Sequence, residues 1–215
     1  MSLRKAVVVD YGIGNVFSVC NAISHAGGEP ILTDNQAEIA NADRLVLPGV
    51  GAFGKAMEQL RRRDLIRPIL SFCATERPFL GICIGMQVLM ERSSEMGQHA
   101  GLALFAGSVE RLPGKVGDTP LRVPHIGWNS IGPSTSNNRW KDTVCAPLKP
   151  YQSSLYFVHS YEARPADPKD ILATADYEGY RVTAAIQRNN LTGVQFHPER
   201  SGVVGQRLLR CFLSM

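Results

Sequence analysis

Pro78-Phe79-Leu80-Gly81-Ile82-Cys83-Ile84-Gly85-Met86-Gln87 reads as a strand, a very tight turn and a helix, with the cysteine at the turn. The apolar run before Cys83 suits a buried strand, and the amphipathic run from Met86 to Arg92 predicts a helix leaving the turn at once. Gly81-x-Cys83-x-Gly85 is the thiol counterpart of the Gly-x-Ser-x-Gly nucleophile elbow. Flanking glycines permit a strained turn and a close approach of strand and helix. Such a turn pushes the sulfur out of the sheet, and a helix N-terminus beside it favours the thiolate. The competing reading is a small buried core residue, which describes most free cysteines. The rest of the chain has to supply the partners a nucleophile needs.

Upstream of the elbow, residues 5–10 form an apolar run ending in Asp10, followed by the glycine-rich turn Tyr11-Gly12-Ile13-Gly14-Asn15. Val16, Val19, Cys20 and Ile23 recur at helical spacing, and Gly27-Gly28 closes that helix. Ile31 and Leu32 mark a second strand, Arg44-Leu45-Val46-Leu47 a third, and a long helical segment from Lys55 to about Thr75 carries Pro68 near a break. Strand and helix in alternation predict parallel pairing through crossovers. The fold class is therefore α/β: a central, mostly parallel sheet flanked by helices, with further strands in the C-terminal half. Those strands are expected at 121–126, 154–159, 170–175, 182–187 and 192–196 as extensions of the same core, with loops at 114–120 and 132–150 and a closing helix at 202–212. With no linker and no repeat, residues 1–215 are read as one domain.

Composition narrows the function classes. The chain is 44% hydrophobic and 20% charged, and no segment offers the roughly 18–20 apolar residues of a membrane span. Met1-Ser2-Leu3-Arg4-Lys5 leads straight into the first apolar run, which looks like a strand rather than a signal peptide. Five cysteines without paired spacing argue against a disulfide framework and for a reducing, cytoplasmic setting. No Cys-x-x-Cys or His-x-x-x-His pair suggests a metal. The net charge of +4 is mild, and Arg61-Arg62-Arg63 reads as a solvated helix face rather than a nucleic-acid patch. Gly12-x-Gly14 fails as a dinucleotide fingerprint because Phe17 stands where the third glycine belongs, so no cofactor is expected.

A second glycine-rich loop, Pro48-Gly49-Val50-Gly51-Ala52-Phe53-Gly54, leaves the third strand. It is either a flexible turn or a loop whose main-chain N–H groups point at a ligand. Loops at the carboxyl ends of parallel strands line the usual crevice of such folds, which sets this loop and Cys83 on one cleft. A thiolate nucleophile needs a base and a group that orients it. Among the five histidines, His25 and His99 lack context, and His125 and His159 lie in or beside strands as structural residues. His197 ends an apolar strand in Gln195-Phe196-His197-Pro198-Glu199. Pro198 holds His197 out of helix, and in extended chain His197 and Glu199 project to one side. An ordinary His-Pro-Glu turn is the bland alternative. Together the elbow and the strand-terminal His-x-Glu make a stronger signal than either alone.

With these residues in hand, the chain resembles the class I, triad-type glutamine amidotransferases. Asp10-Tyr11-Gly12-Ile13-Gly14-Asn15, Pro48-Gly49-Val50-Gly51-Ala52-Phe53, Pro124-His125-Ile126-Gly127-Trp128-Asn129 and Tyr156-Phe157-Val158-His159-Ser160-Tyr161 are similar to the glutaminase subunits of the imidazole glycerol phosphate synthases. Ile84 departs from the leucine of many members. The resemblance implies a triad of Cys83, His197 and Glu199, and an oxyanion hole from the N–H groups of Val50 and Ile84. It further implies a glutamine site from Gly49, Gly51, Gln87, Glu95, Ser160 and Tyr161. On the residues alone, Gln87 and Glu95 read as a solvated helix face. The family partner is a (β/α)-barrel cyclase subunit that receives ammonia in a heterodimer and forms imidazole glycerol phosphate and an aminoimidazole carboxamide ribonucleotide in histidine biosynthesis. Trp128 and Asn15 would face it, against the alternative of a buried core Trp128. Competing readings are an amidotransferase subunit feeding a different synthase, such as one for sugar amination, a regulator without catalysis, and a cysteine hydrolase acting alone.

Overall fold

The computed structural model describes residues 4–134 and 140–215, so Ser2 and Leu3, and the middle of the expected 132–150 loop, lie outside the described residues. Strands β1 (Arg4–Val9), β2 (Gly28–Thr33), β3 (Leu45–Leu47) and β4 (Phe79–Ile82) alternate with helices α1 (Val16–His25), α2 (Gln36–Ala40), α3 (Phe53–Arg62) and α4 (Ile66–Cys73). The four-residue helix α5 (Ile84–Gln87) follows the elbow. Then come β5 (Met90–Ser93), β6 (His99–Ala100), β7 (Phe105–Arg111), β8 (Lys115–Val116), β9 (Thr119–Pro120), β10 (His125–Pro133), β11 (Ser154–His159) and β12 (Tyr161–Pro165). The chain ends with β13 (Ile171–Tyr177), β14 (Tyr180–Arg188), β15 (Leu191–Val194) and α6 (Gly202–Ser214).

One nine-stranded sheet organises the molecule, in the order β11-β10-β13-β14-β15-β4-β3-β1-β2. From β15 to β2 neighbouring strands are parallel, and from β15 to β11 they are antiparallel. The parallel half is the α/β core expected from the alternation of elements. Its strands are apolar throughout, as strands covered on both faces must be: Val8, Val9, Leu45, Val46, Leu47, Phe79 and Leu80 are all inaccessible to solvent. Helix α3 buries Phe53, Ala56, Met57 and Leu60, one face at helical spacing, and α6 does the same with Leu208, Leu209, Phe212 and Leu213.

Four expectations need correction. The run from Met86 to Arg92 is not one helix: α5 stops at Gln87 and Met90 already begins β5. The segment 55–75 is two helices broken at Asp64, which takes φ +55°, and not at Pro68. Pro68 sits in the first turn of α4, where a missing N–H costs nothing. The strand expected at 121–126 begins only at His125, and the loop at 114–120 is a small β8–β9 hairpin. The later strands expected at 154–159, 170–175, 182–187 and 192–196 do extend the main sheet, as β11, β13, β14 and β15, but a second sheet was not foreseen. β12, β7, β5 and β6 form a separate four-stranded sheet that carries Tyr161. Buried Glu162 ties this sheet to β14, accepting from the Tyr180 hydroxyl at 2.5 Å and the Thr183 N–H at 3.1 Å.

Among the described residues, no helix is long and apolar enough to cross a membrane. All five cysteines are free thiols.

Candidate active site

β4 and β15 are adjacent and parallel, with Ile82 opposite Val194. That register is what brings the two chemical motifs together, because Cys83 follows one strand end and Gln195-Phe196-His197 the other. The Cys83 N–H extends the pairing by donating to the Val194 carbonyl at 2.7 Å. Cys83 itself takes φ +54° and ψ −110°, a backbone that L residues avoid at a cost of about 1–3 kcal/mol. The turn is held by crowding at Gly85, where a Cβ would lie 1.8 Å from the Leu47 carbonyl oxygen. The Gly49 loop is pressed against the same elbow, since a Cβ there would meet the Tyr11 hydroxyl at 2.5 Å and Ile84 Cβ at 2.9 Å. Tyr11, fully buried, donates its hydroxyl to the Pro48 carbonyl at 2.7 Å and pins the start of the loop. Burial, with the nearby Cys83, pushes the Tyr11 phenol well above its usual range.

His197 Nδ1 and Glu199 Oε1 are 2.7 Å apart, and their side chains are only 4% and 3% exposed. The His197 backbone is fixed on both sides: its N–H donates to the Tyr156 carbonyl at 2.9 Å, and Ser201 Oγ donates to its carbonyl at 2.6 Å. Burial lowers the proton affinity of His197, but the Cys83 sulfur and the Glu199 carboxylate more than reverse this and raise it to about 10. A histidine so held stays charged.

Val50, Gly51, Cys83, Ile84, Gln87, Glu95, Val158, His159, Ser160, Tyr161 and His197 line one cavity of about 170 Å³. It is smaller than the roughly 300 Å³ at which ordinary cofactor clefts begin. Most residues picked from the sequence therefore meet in one place. Gly49 does not line the cavity, and its part is the close packing described above. Gln87 lies on α5 but is 1% exposed, so the solvated-face reading fails for it. Glu95 lies on no helix: it follows β5, and its carboxylate accepts from the Phe53 N–H at 2.6 Å, capping α3, whose N-cap Ala52 has no side chain to offer. Trp128 and Asn15 stand apart from the cavity. Trp128 is 58% exposed on β10, edge-on to Tyr156, and it is Trp140 that occupies the core. Asn15 is exposed and caps α1 through the Ser18 N–H at 3.3 Å.

Sequence reasoning missed Gln195, which is inaccessible to solvent and points its Nε2 at the Cys83 sulfur, 3.7 Å away. Gln195 stands two residues before His197, and strand alternation across the expected 192–196 strand places it on the same side, so the signal was there. Glu199, by contrast, follows in the 3-10 turn Pro198–Arg200 and not in the extended chain expected for it. Sequence reasoning also underrated His159, which lines the cavity and bonds through Nε2 to His125 Nδ1 at 2.9 Å.

A strained cysteine elbow at one parallel strand end, with a buried His–Glu pair at the next, is the arrangement that thiol-based acyl transfer on an α/β scaffold requires. The glutamine amidotransferase class-I family model matches residues 7–214, and the chain belongs to that family. Within it, the chain is 44% identical over 214 residues to "Imidazole glycerol phosphate synthase subunit HisH 1" of Legionella pneumophila (strain Paris), covering 99% of this chain and 100% of the relative. It is 45% identical over 217 residues to the HisH subunit of Thermosynechococcus vestitus, covering 100% and 99%. Among solved structures, "Structure of PurLQS from Thermotoga maritima" superposes with a TM-score of 0.74 at 19% identity, covering 99% of each chain, a likeness of fold.

Proposed function

We propose that this chain, as one amidotransferase domain, is the glutaminase subunit of an imidazole glycerol phosphate synthase. It hydrolyses glutamine and passes the ammonia to a cyclase subunit in a heterodimer in the cytoplasm. The observation that carries the reading is the Cys83–His197–Glu199 arrangement within a family shared nearly end to end with HisH subunits. The Cys83 thiolate attacks the side-chain carboxamide carbon of glutamine. The tetrahedral oxyanion is met by the N–H of Ile84, which as the first residue of α5 has no intrahelical acceptor, and by that of Val50. Collapse transfers a proton from His197 Nε2 to the leaving nitrogen, releasing ammonia and leaving a thioester. Water attacks the thioester as His197 takes its proton back, and glutamate leaves with Cys83 restored. Glu199 holds the imidazole through Nδ1, which leaves Nε2 for the reacting atoms.

Gln87 Oε1 is buried without a partner among the described residues and belongs to the cavity wall, where it accepts from the substrate's nitrogen. Glu95 takes the α-ammonium group, and Gly51, Ser160 and Tyr161 close the site. Gly49 lets the loop lie against the elbow. Trp128 and Asn15 face the cyclase. Neutral ammonia is the minor form near pH 7, so direct delivery into the partner suits the chemistry, and five free thiols suit a reducing compartment.

The test is glutamate release by the purified chain with its cyclase and the cyclase's ribonucleotide ligand. Stimulated hydrolysis in the wild type, falling roughly a thousand-fold or more in Cys83→Ala, is the expected result. No glutamate from the assembled wild-type complex would overturn the proposal.

A further inference from the structure

Among the described residues, Gln195 is the one buried polar side chain beyond the triad with a hydrogen bond aimed at the Cys83 sulfur, and the orientation of its amide is fixed by chemistry. The Tyr161 carbonyl only accepts, so the Gln87 atom 2.9 Å from it is the amide nitrogen. The second proton of that nitrogen goes to Gln195 Oε1, also at 2.9 Å. With its oxygen so engaged, Gln195 turns Nε2 toward the sulfur, at 3.7 Å. The Tyr161 carbonyl is held in turn by His159 Nδ1–H at 2.9 Å, and His159 Nε2 accepts from His125 Nδ1–H at 2.9 Å. Each donor has an acceptor from β10 to the elbow, and no link can reverse without setting two acceptors or two donors against each other.

We propose that Gln195 is a positioning residue for the nucleophile, donating an amide N–H to the Cys83 sulfur while its carbonyl ties that contact to the Gln87–Tyr161 wall of the same cavity. His197 supplies the charge opposite the thiolate, and Gln195 fixes where the sulfur points. A neutral donor suits this place, because a second cation would compete with His197 for the negative sulfur. The titratable groups facing Cys83 are His197, backed by Glu199, together with Tyr11 beneath the elbow, Glu95 across the cavity and His159 on its wall. Gln195 adds no charge to this set, so its effect can be separated from theirs.

The inference rests on Cys83 being the nucleophile, and the experiment separates the two. In the complex with the cyclase, Gln195→Met keeps length and burial but removes the donor, and Gln195→Glu sets a carboxylate against the sulfur. Inactivation by iodoacetamide, with Cys83 identified by peptide mass, is followed against pH alongside glutamine kinetics. The pH midpoint of inactivation is expected to move up by about one unit in Gln195→Met and further in Gln195→Glu, with kcat down about ten-fold in the former. A merely structural Gln195 would alter thermal stability or KM and leave the midpoint in place, and that result would overturn the proposal. Should neither variant fold, the side-chain amide resonance of Gln195 in ¹⁵N-labelled wild type decides. It must shift across the pH range of Cys83 alkylation and fail to do so in Cys83→Ala, and an unresponsive resonance refutes the contact. If instead Cys83→Ala retains turnover, it is the nucleophile assignment that fails.

Discussion

Glu199 Oε1 stands 2.7 Å from His197 Nδ1, while His197 Nε2, equally buried, has no hydrogen-bond partner among the described residues. Bonded to Glu199 through Nδ1, the ring keeps Nε2 as the nitrogen from which a proton can leave, the one the proposed mechanism uses. Glu199→Gln keeps the shape and removes the charge. The expected result is a loss of roughly 10³–10⁴-fold in kcat with the fold intact, measured as stimulated glutamate release and circular dichroism. The raised proton affinity of His197 also has a sign for stability. The folded state keeps a proton that the unfolded chain releases near 6.5, so the pairing contributes fully below that pH and is lost as pH rises through about 10. The thermal midpoint of the wild type should fall across that interval, and the fall should be shallower in Glu199→Gln.

The His125–His159 pair carries the opposite sign. Burial pushes His125 down to about 4 and, with His125 beside it, His159 down to about 3. Between these values and the ordinary 6.5 the unfolded chain binds more protons than the folded one, so stability is lost as pH falls. His125 is also stacked between Tyr177 at 4.0 Å and Phe157 at 4.7 Å, which leaves little room for hydration of a charged ring. In His125→Gln the steepness of the acid side of the stability curve should drop from about two protons to about one. Urea denaturation at pH steps from 6.5 to 4 measures it, and an unchanged slope would mean that the pair does not stay neutral in the fold.

The sequence carried more of the site than of the surrounding architecture, for physical reasons. The elbow and the strand-terminal histidine are local patterns, so the nearness of Cys83 and His197 was legible as an expectation before any fold was known, whereas Glu199 reaches His197 from the 3-10 turn Pro198–Arg200 and not from the extended chain expected. The order of strands was not legible, because the adjacency of β4 and β15 is a non-local fact that no periodicity encodes. The second sheet was hidden because β5 has buried ends and exposed middle residues, and its amphipathic run from Met86 suits a helix as well. Glu95 read as part of that helix and proved to be a cap on α3, a role fixed only by where β5 ends. Trp128 could not be placed from sequence, since a tryptophan on a strand faces core or solvent with equal ease.

On the structure, Trp128 faces solvent at 58% exposure beside Ile126 at 57%, on the strand that also begins the His125–His159 link. An exposed indole braced edge-on by Tyr156 at 5.9 Å is a ready anchor for a partner. Trp128→Ala should leave the monomer within about 0.5 kcal/mol of wild-type stability. Its affinity for the cyclase should fall by about 2 kcal/mol or more. Titration calorimetry against the cyclase reads the second quantity. Binding at wild-type strength would move the docking surface elsewhere.

The two glycine positions around the cavity should respond to alanine in contrasting ways. At Gly85 an added Cβ falls 1.8 Å from the Leu47 carbonyl oxygen, and both atoms belong to backbone that neither β3 nor the elbow can move cheaply. Gly85→Ala should cost about 3 kcal/mol of stability and distort the turn that presents Cys83, so alkylation and hydrolysis fall together. At Gly51 a Cβ meets nothing within 4 Å, but the residue holds φ +88°. There the cost is conformational, about 1–2 kcal/mol, and it penalises this state of the loop without touching the elbow. Gly51→Ala should therefore keep the wild-type rate of Cys83 alkylation while changing how strongly the cyclase stimulates glutamine hydrolysis, because the Val50 N–H moves with this loop and the sulfur does not. Thermal melts, iodoacetamide inactivation and stimulated glutamate release on the two variants measure the contrast. Equal loss of alkylation in both would show that loop and elbow move as one body.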